Sequence, residues 1–121
     1  MSNQTLKRIK WLSLLVAAMQ TEIDDIDASL SALEKAGVGC RLHTVIEYRQ
    51  MVLEDQKAVI EKRNAIIKRI SRVDDELYRK ILVGRYVDGM SCEELAEELH
   101  YSNGYVIWLS KRAHAAFEAI H

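Results

Sequence analysis

MSCEELAEELHYSNGYVIWLSKRAHAAF, residues 90–117, reads as two short helices and the turn that joins them. Ser91 followed by Glu94 is a capping box, in which hydroxyl and carboxylate each satisfy a backbone N–H that the first helical turn leaves without a partner. A helix is therefore predicted from Cys92, and Ser102 caps a second one in the same way. Leu95 and Leu99 form an apolar pair one turn apart, and Ala96 beside them is small enough to admit a neighbouring helix. On the second helix Val106, Leu109, Ala113 and Phe117 recur at 3, 4 and 4 residues and make one buried stripe. His100-Tyr101 leaves room only for a tight turn. Such turns tend to the left-handed backbone region, which glycine enters freely and histidine only at a cost. Tyr101 is expected to plug the space between the two helices.

Two helices so joined form a helix-turn-helix, whose second helix can enter a DNA major groove. With Arg85-Tyr86, Gly89, Ser91, Glu94, Leu95, Ala96, Leu99, Ser102, Val106, Leu109, Arg112, Ala113 and Phe117, the stretch resembles region 4 of bacterial sigma factors. It also resembles the small phage proteins that carry the same module, the RinA-like and ArpU-like late-gene transcription regulators. The resemblance covers roughly residues 74–120. It implies a sequence-specific transcription regulator of phage or prophage type that binds double-stranded DNA through the helix after Ser102, with RNA polymerase as a further partner.

Six residues on that helix and its cap are the candidate DNA contacts: Ser102, Asn103, Tyr105, Trp108, Lys111 and Arg112. Asn103 is the residue type that pairs with both polar atoms of an adenine edge, and equally a common surface residue. Tyr105 and Trp108 share a face; they either touch thymine methyls and sugar edges, or Trp108 packs on the N-terminal helices or on a second subunit. Lys111 and Arg112 suit phosphates, or simply keep the surface soluble. Arg85-Tyr86 is expected to brace the core of the unit, with a phosphate contact as the arginine's alternative use.

The rest of the chain reads as support. No proline and five glycines in 121 residues, with abundant Leu, Ile, Ala, Glu and Lys, predict an all-α protein. The basic and then apolar segment KRIKWLSLLVAAMQ imitates a secretory signal. However, Ile9, Leu12, Val16, Met19, Ile23, Ile26, Leu30 and Leu33 keep an unbroken 3-4 spacing straight through it. That is a heptad seam, and it predicts one long helix over about 5–35 and no membrane span. Ala36-Gly37-Val38-Gly39 should end this helix and reverse the chain. Beyond it, the apolar pairs Val45-Ile46, Val52-Leu53, Val59-Ile60 and Ile66-Ile67, spaced by seven, predict a second helix over about 42–71, antiparallel to the first. Arg49, Gln56 and Arg63 sit between those pairs and either meet the first helix's carboxylates or snorkel to water. Asp74 or Ser71 is expected to cap a third helix with Leu77, Ile81, Leu82 and Tyr86 inward and Gly89 at its end; the chain here either breaks or merely bends. The expected organisation is a helical hairpin or coiled coil at 1–72, which makes the protein a homodimer, and a helix-turn-helix domain at 73–121.

Charge argues on both sides. Residues 73–121 carry five basic and nine acidic groups, so the DNA-reading unit is the acidic part of the chain. Phosphate neutralisation supplies most non-specific DNA affinity, and the acidic residues Glu93, Glu94, Glu97 and Glu98 equally suit a basic protein surface. The alternative is accordingly a helical assembly factor, such as a packaging-machine subunit, whose three-helix unit docks on protein. Cys40 and Cys92 show no framework spacing, which points to a reducing cytoplasmic compartment, and Cys40 with His43 lacks the second pair that a metal site needs. No phosphate loop, nucleophile constellation or cofactor motif is present, so no enzymatic activity is expected.

Overall fold

A computed structural model describes residues 4–37 and 39–120; Val38, His121 and the side chains of Cys40 and Arg41 lie outside what it describes. The described chain is all-helical: α1 (Gln4–Ala36), α2 (Gly39–Ser71), α3 (Glu76–Leu82), a π-turn (Val83–Val87), α4 (Cys92–Leu99) and α5 (Asn103–Glu118). None of these helices is long and apolar enough to cross a membrane. By compactness the chain forms two units, residues 12–62 and the described parts of 1–11 with 63–121.

Within residues 12–62, α1 and α2 pack around Ile23, Ile26 and Val52, with Met19, Leu30, Val45 and Leu53 partly buried beside them. The polar pairs along this contact give its direction. Arg49 Nε meets Asp27 Oδ1 at 2.5 Å, and Gln56 Nε2 donates to the Val16 carbonyl at 3.3 Å and to Gln20 Oε1 at 3.0 Å. Partners on α1 step back as residues on α2 step forward, so the two segments run antiparallel. Arg49 thus takes a carboxylate of the first helix, and Gln56 is buried rather than snorkelling. Arg63, by contrast, reaches its neighbour Asn64. The heptad seam is covered unevenly: Ile23 and Ile26 are buried while Leu12, Val16, Met19, Leu30 and Leu33 stay half-buried. One partner helix shields only one side of a stripe this wide.

The other unit owes its core to residues from both ends of its sequence. Leu6, Ile9, Ile70, Ile81, Leu82, Val106 and Phe117 are essentially sealed from water, each worth roughly 1.5–3 kcal/mol of burial. Arg69, at the end of α2, lies over the Phe117 ring at 4.2 Å and donates from Nη2 to the Phe117 carbonyl at 3.2 Å, so it satisfies an acceptor at the end of α5. The chain breaks between α2 and α3. Asp75, and neither Asp74 nor Ser71, caps α3 by accepting the Tyr78 N–H, while the Ser71 hydroxyl turns back to the Lys68 carbonyl. Asp75 is the residue whose extended backbone (φ −75°, ψ 118°) aims its carboxylate at the first turn. The π-turn then widens the last turn of this segment, and Gly89, at φ +72°, ends it.

Candidate nucleic-acid interface

Local sequence builds the frame of the site. The Ser91 hydroxyl accepts the Glu94 N–H at 3.1 Å and the Glu94 carboxylate accepts the Ser91 N–H at 3.2 Å, which fixes the start of α4. Its end is closed by Tyr101 N–H to the Ala96 carbonyl at 2.9 Å, a six-residue closure that puts His100 in the left-handed region at φ 61°, ψ 40°. Ser102 follows at once, accepting the Tyr105 N–H at 3.2 Å and starting α5. The turn therefore has almost no slack. Behind it Gly84 lets the π-turn approach α4 closely, and no larger residue fits there without displacing buried Leu95.

α5 buries Val106, Leu109, Ser110, Ala113 and Phe117 along one face. Ser102, Asn103, Tyr105, Trp108, Lys111 and Arg112 are all exposed, so the six candidate contacts share the open side of one helix and its cap. They are not six independent side chains. The Tyr101 and Tyr105 rings meet edge to face at 5.0 Å, Tyr105 stacks on Trp108 at 5.8 Å with 16° between planes, and the Arg112 guanidinium covers Trp108 at 4.8 Å. The far end of this row is tied to α3, where Arg112 Nε donates to the Tyr78 hydroxyl at 2.9 Å.

One expectation is corrected by this arrangement. Tyr101 does not plug the space between the helices, because Leu95, Ala96, Val106 and Leu109 already fill the inward positions of α4 and α5; it is 41% exposed. Trp108 is 50% exposed and finds its packing in Tyr105 and Arg112. Tyr78 was not among the candidate residues. Its contact with Arg112 spans 34 positions and has no signature in local spacing.

The electrostatics are sparse. Arg79 is spent on the Val73 and Asp74 carbonyls at the start of α3, and Lys80 pairs with Glu76 at 3.6 Å. Lys111 and the two Nη groups of Arg112 are the positive atoms left on the open side of α5. Arg85 donates from Nη1 to the Met90 carbonyl at 3.4 Å. Tyr86 shares a hydrogen bond of 2.6 Å with His114 Nε2. Burial pushes the His114 imidazole below its usual 6.5, the charges of Arg85 and Lys7 add to this, and Glu118 opposes it.

Compared with protein-family models, with characterised proteins and with solved structures, the chain matches none.

Proposed function

We propose that the chain is a sequence-specific DNA-binding regulator of transcription, of the phage type that the sequence resembles, acting as a cytoplasmic homodimer. In this reading α3, α4 and α5 are a helix-turn-helix unit, α5 is its recognition helix, and α1 with α2 forms the hairpin that dimerises it. One observation carries it: the six candidate contacts stand together on the open side of α5, directly after a short turn that fixes α5 against α4. Asn103 in the first turn is suited to a base edge, and Lys111 to a phosphate two turns on. Dimerisation answers the shortage of positive charge, because two recognition helices on adjacent half-sites double the phosphate contacts.

The test is binding to duplex DNA over a range of salt. A decline in affinity with rising salt, reduced in slope by about one unit in Lys111→Ala, supports the reading. Asn103→Ala should then relax sequence preference, with about 1–3 kcal/mol lost on the best site. Absence of salt-dependent binding sinks it.

A second reading has its own support. Tyr, Trp and Arg dominate protein-binding hot spots, and Tyr101, Tyr105, Trp108 and Arg112 form such a group beside the exposed carboxylates of Glu93, Glu97 and Glu98. A basic protein partner docked on α5 would leave the chain an assembly factor rather than a regulator. It is the reading that remains if duplex DNA is not bound.

A further inference from the structure

Resting on the DNA-binding reading, we infer that Tyr78 is a positioning residue for the α5 face: it holds Arg112 over Trp108 so that the two Nη groups are presented to a ligand with two adjacent acceptors. A guanidinium carries five N–H donors in a planar fork. In Arg112 the Nε–H is taken by the Tyr78 hydroxyl at 2.9 Å and the plane is covered by the Trp108 ring at 4.8 Å. The two Nη groups are what remains, and Arg112 is an exposed residue.

Four contacts restrain the side chain. Tyr78 fixes the fork from α3, Trp108 fixes its plane, and Tyr105 with Tyr101 fixes Trp108 in turn. An arginine free on the surface loses rotamer freedom when it binds, and affinity falls accordingly. Held in advance, it loses much less. The acceptors that match two parallel N–H bonds are the O6/N7 edge of guanine and the oxygens of a phosphate group. Lysine at the same position would keep the charge and lose the fork, the ring contact and the Tyr78 bond together.

The experiment compares wild type, Tyr78→Phe and Arg112→Lys on a selected best duplex and on variants of it, with the Arg112 Nε–H followed by proton–nitrogen spectroscopy. Tyr78→Phe deletes one oxygen and no charge. It should weaken best-site binding about three- to tenfold with an unchanged salt slope, and the Nε–H signal, protected from exchange in wild type, should broaden or vanish. Arg112→Lys should cost about ten- to a hundredfold. A penalty that disappears on duplexes lacking one particular G·C pair identifies the guanine edge as the ligand; an equal penalty on every duplex identifies the phosphate. Wild-type affinity in Tyr78→Phe, in a protein that does bind DNA, overturns the inference. So does an Nε–H that exchanges as fast in wild type as in the variant. A wild type without salt-dependent affinity for DNA overturns the proposed function and the ligand inferred from it, while the Nε–H signal reports separately on whether Tyr78 holds Arg112.

Discussion

A Cβ placed on Gly84 would stand 2.5 Å from Cδ2 of Leu95, and 3.2 Å and 3.3 Å from its Cγ and Cδ1. Leu95 is itself 3% exposed, so its side chain has to shift to admit the methyl group. Gly84→Ala is therefore expected to destabilise the unit by about 1–3 kcal/mol, the usual range for overpacking a filled core. Urea unfolding of Gly84→Ala, Leu95→Ala and the double variant measures it: in the double variant the two losses should fall well short of additive, because the clash has been removed. Simple additivity would show that the approach is not tight.

The turn between α4 and α5 stores strain at His100, which sits at φ 61° without the freedom of glycine. His100→Gly should stabilise the protein by about 0.5–1 kcal/mol, the left-handed penalty less the entropy of a more flexible unfolded chain. A lowered midpoint in thermal unfolding would contradict this.

His114 makes stability depend on pH. Its imidazole is held below 6.5 in the folded protein by burial and by Arg85 and Lys7, so the unfolded chain binds the proton more readily. Stability should be fully present above about 6.5 and fall as pH drops from there towards the lowered folded value. In His114→Gln, which can still accept from the Tyr86 hydroxyl, that decline should flatten. Denaturation midpoints collected from pH 8 down to about pH 5 for both proteins decide the point; parallel curves would remove His114 as the cause.

Dimerisation through the two long helices predicts different outcomes for buried and exposed positions of the same segment. Leu14, Leu15 and Met51 are 53%, 44% and 57% exposed and so open to a second copy in the proposed dimer, whereas Ile23 is 2% exposed. Leu14→Glu combined with Met51→Glu should keep helicity and lower the mass seen in sedimentation equilibrium. Ile23→Asp should instead cost several kcal/mol by burying an unpaired charge in the contact between α1 and α2. A wild type that sediments as a monomer at micromolar concentration rules the dimer out.

What could be read from the sequence was mostly local. The capping box of Ser91 and Glu94 and the Ser102 cap follow from residues within three positions of one another, and both stand as expected; His100, a departure from the usual glycine, takes the left-handed conformation nonetheless. The start of α3 was harder, since Ser71, Asp74 and Asp75 are all competent caps and only the backbone path selects Asp75. The row of aromatic side chains on α5 shows the other limit. Spacing put Tyr105 and Trp108 on one face, but it could not show that they satisfy one another's packing, nor that Tyr78 fastens the row from another helix. Gly84 gave only the sign of a glycine inside a helical segment, and its close approach depends on α4, which arrives later in the chain.

The contact of Arg69 with both the ring and the carbonyl of Phe117 bears on how the molecule can be dissected. A fragment beginning at Val73 would keep every residue of the recognition turn and still lose the cation that seals the last turn of α5, together with the buried side chains of Leu6, Ile9, Ile66 and Ile70 that belong to the same compact unit. Excised in that way, the C-terminal helices would carry an open wound where their foundation had been. The compact unit that holds α5 is therefore discontinuous in sequence, and the opening turns of α1 with the last turns of α2 are part of the floor on which α5 stands.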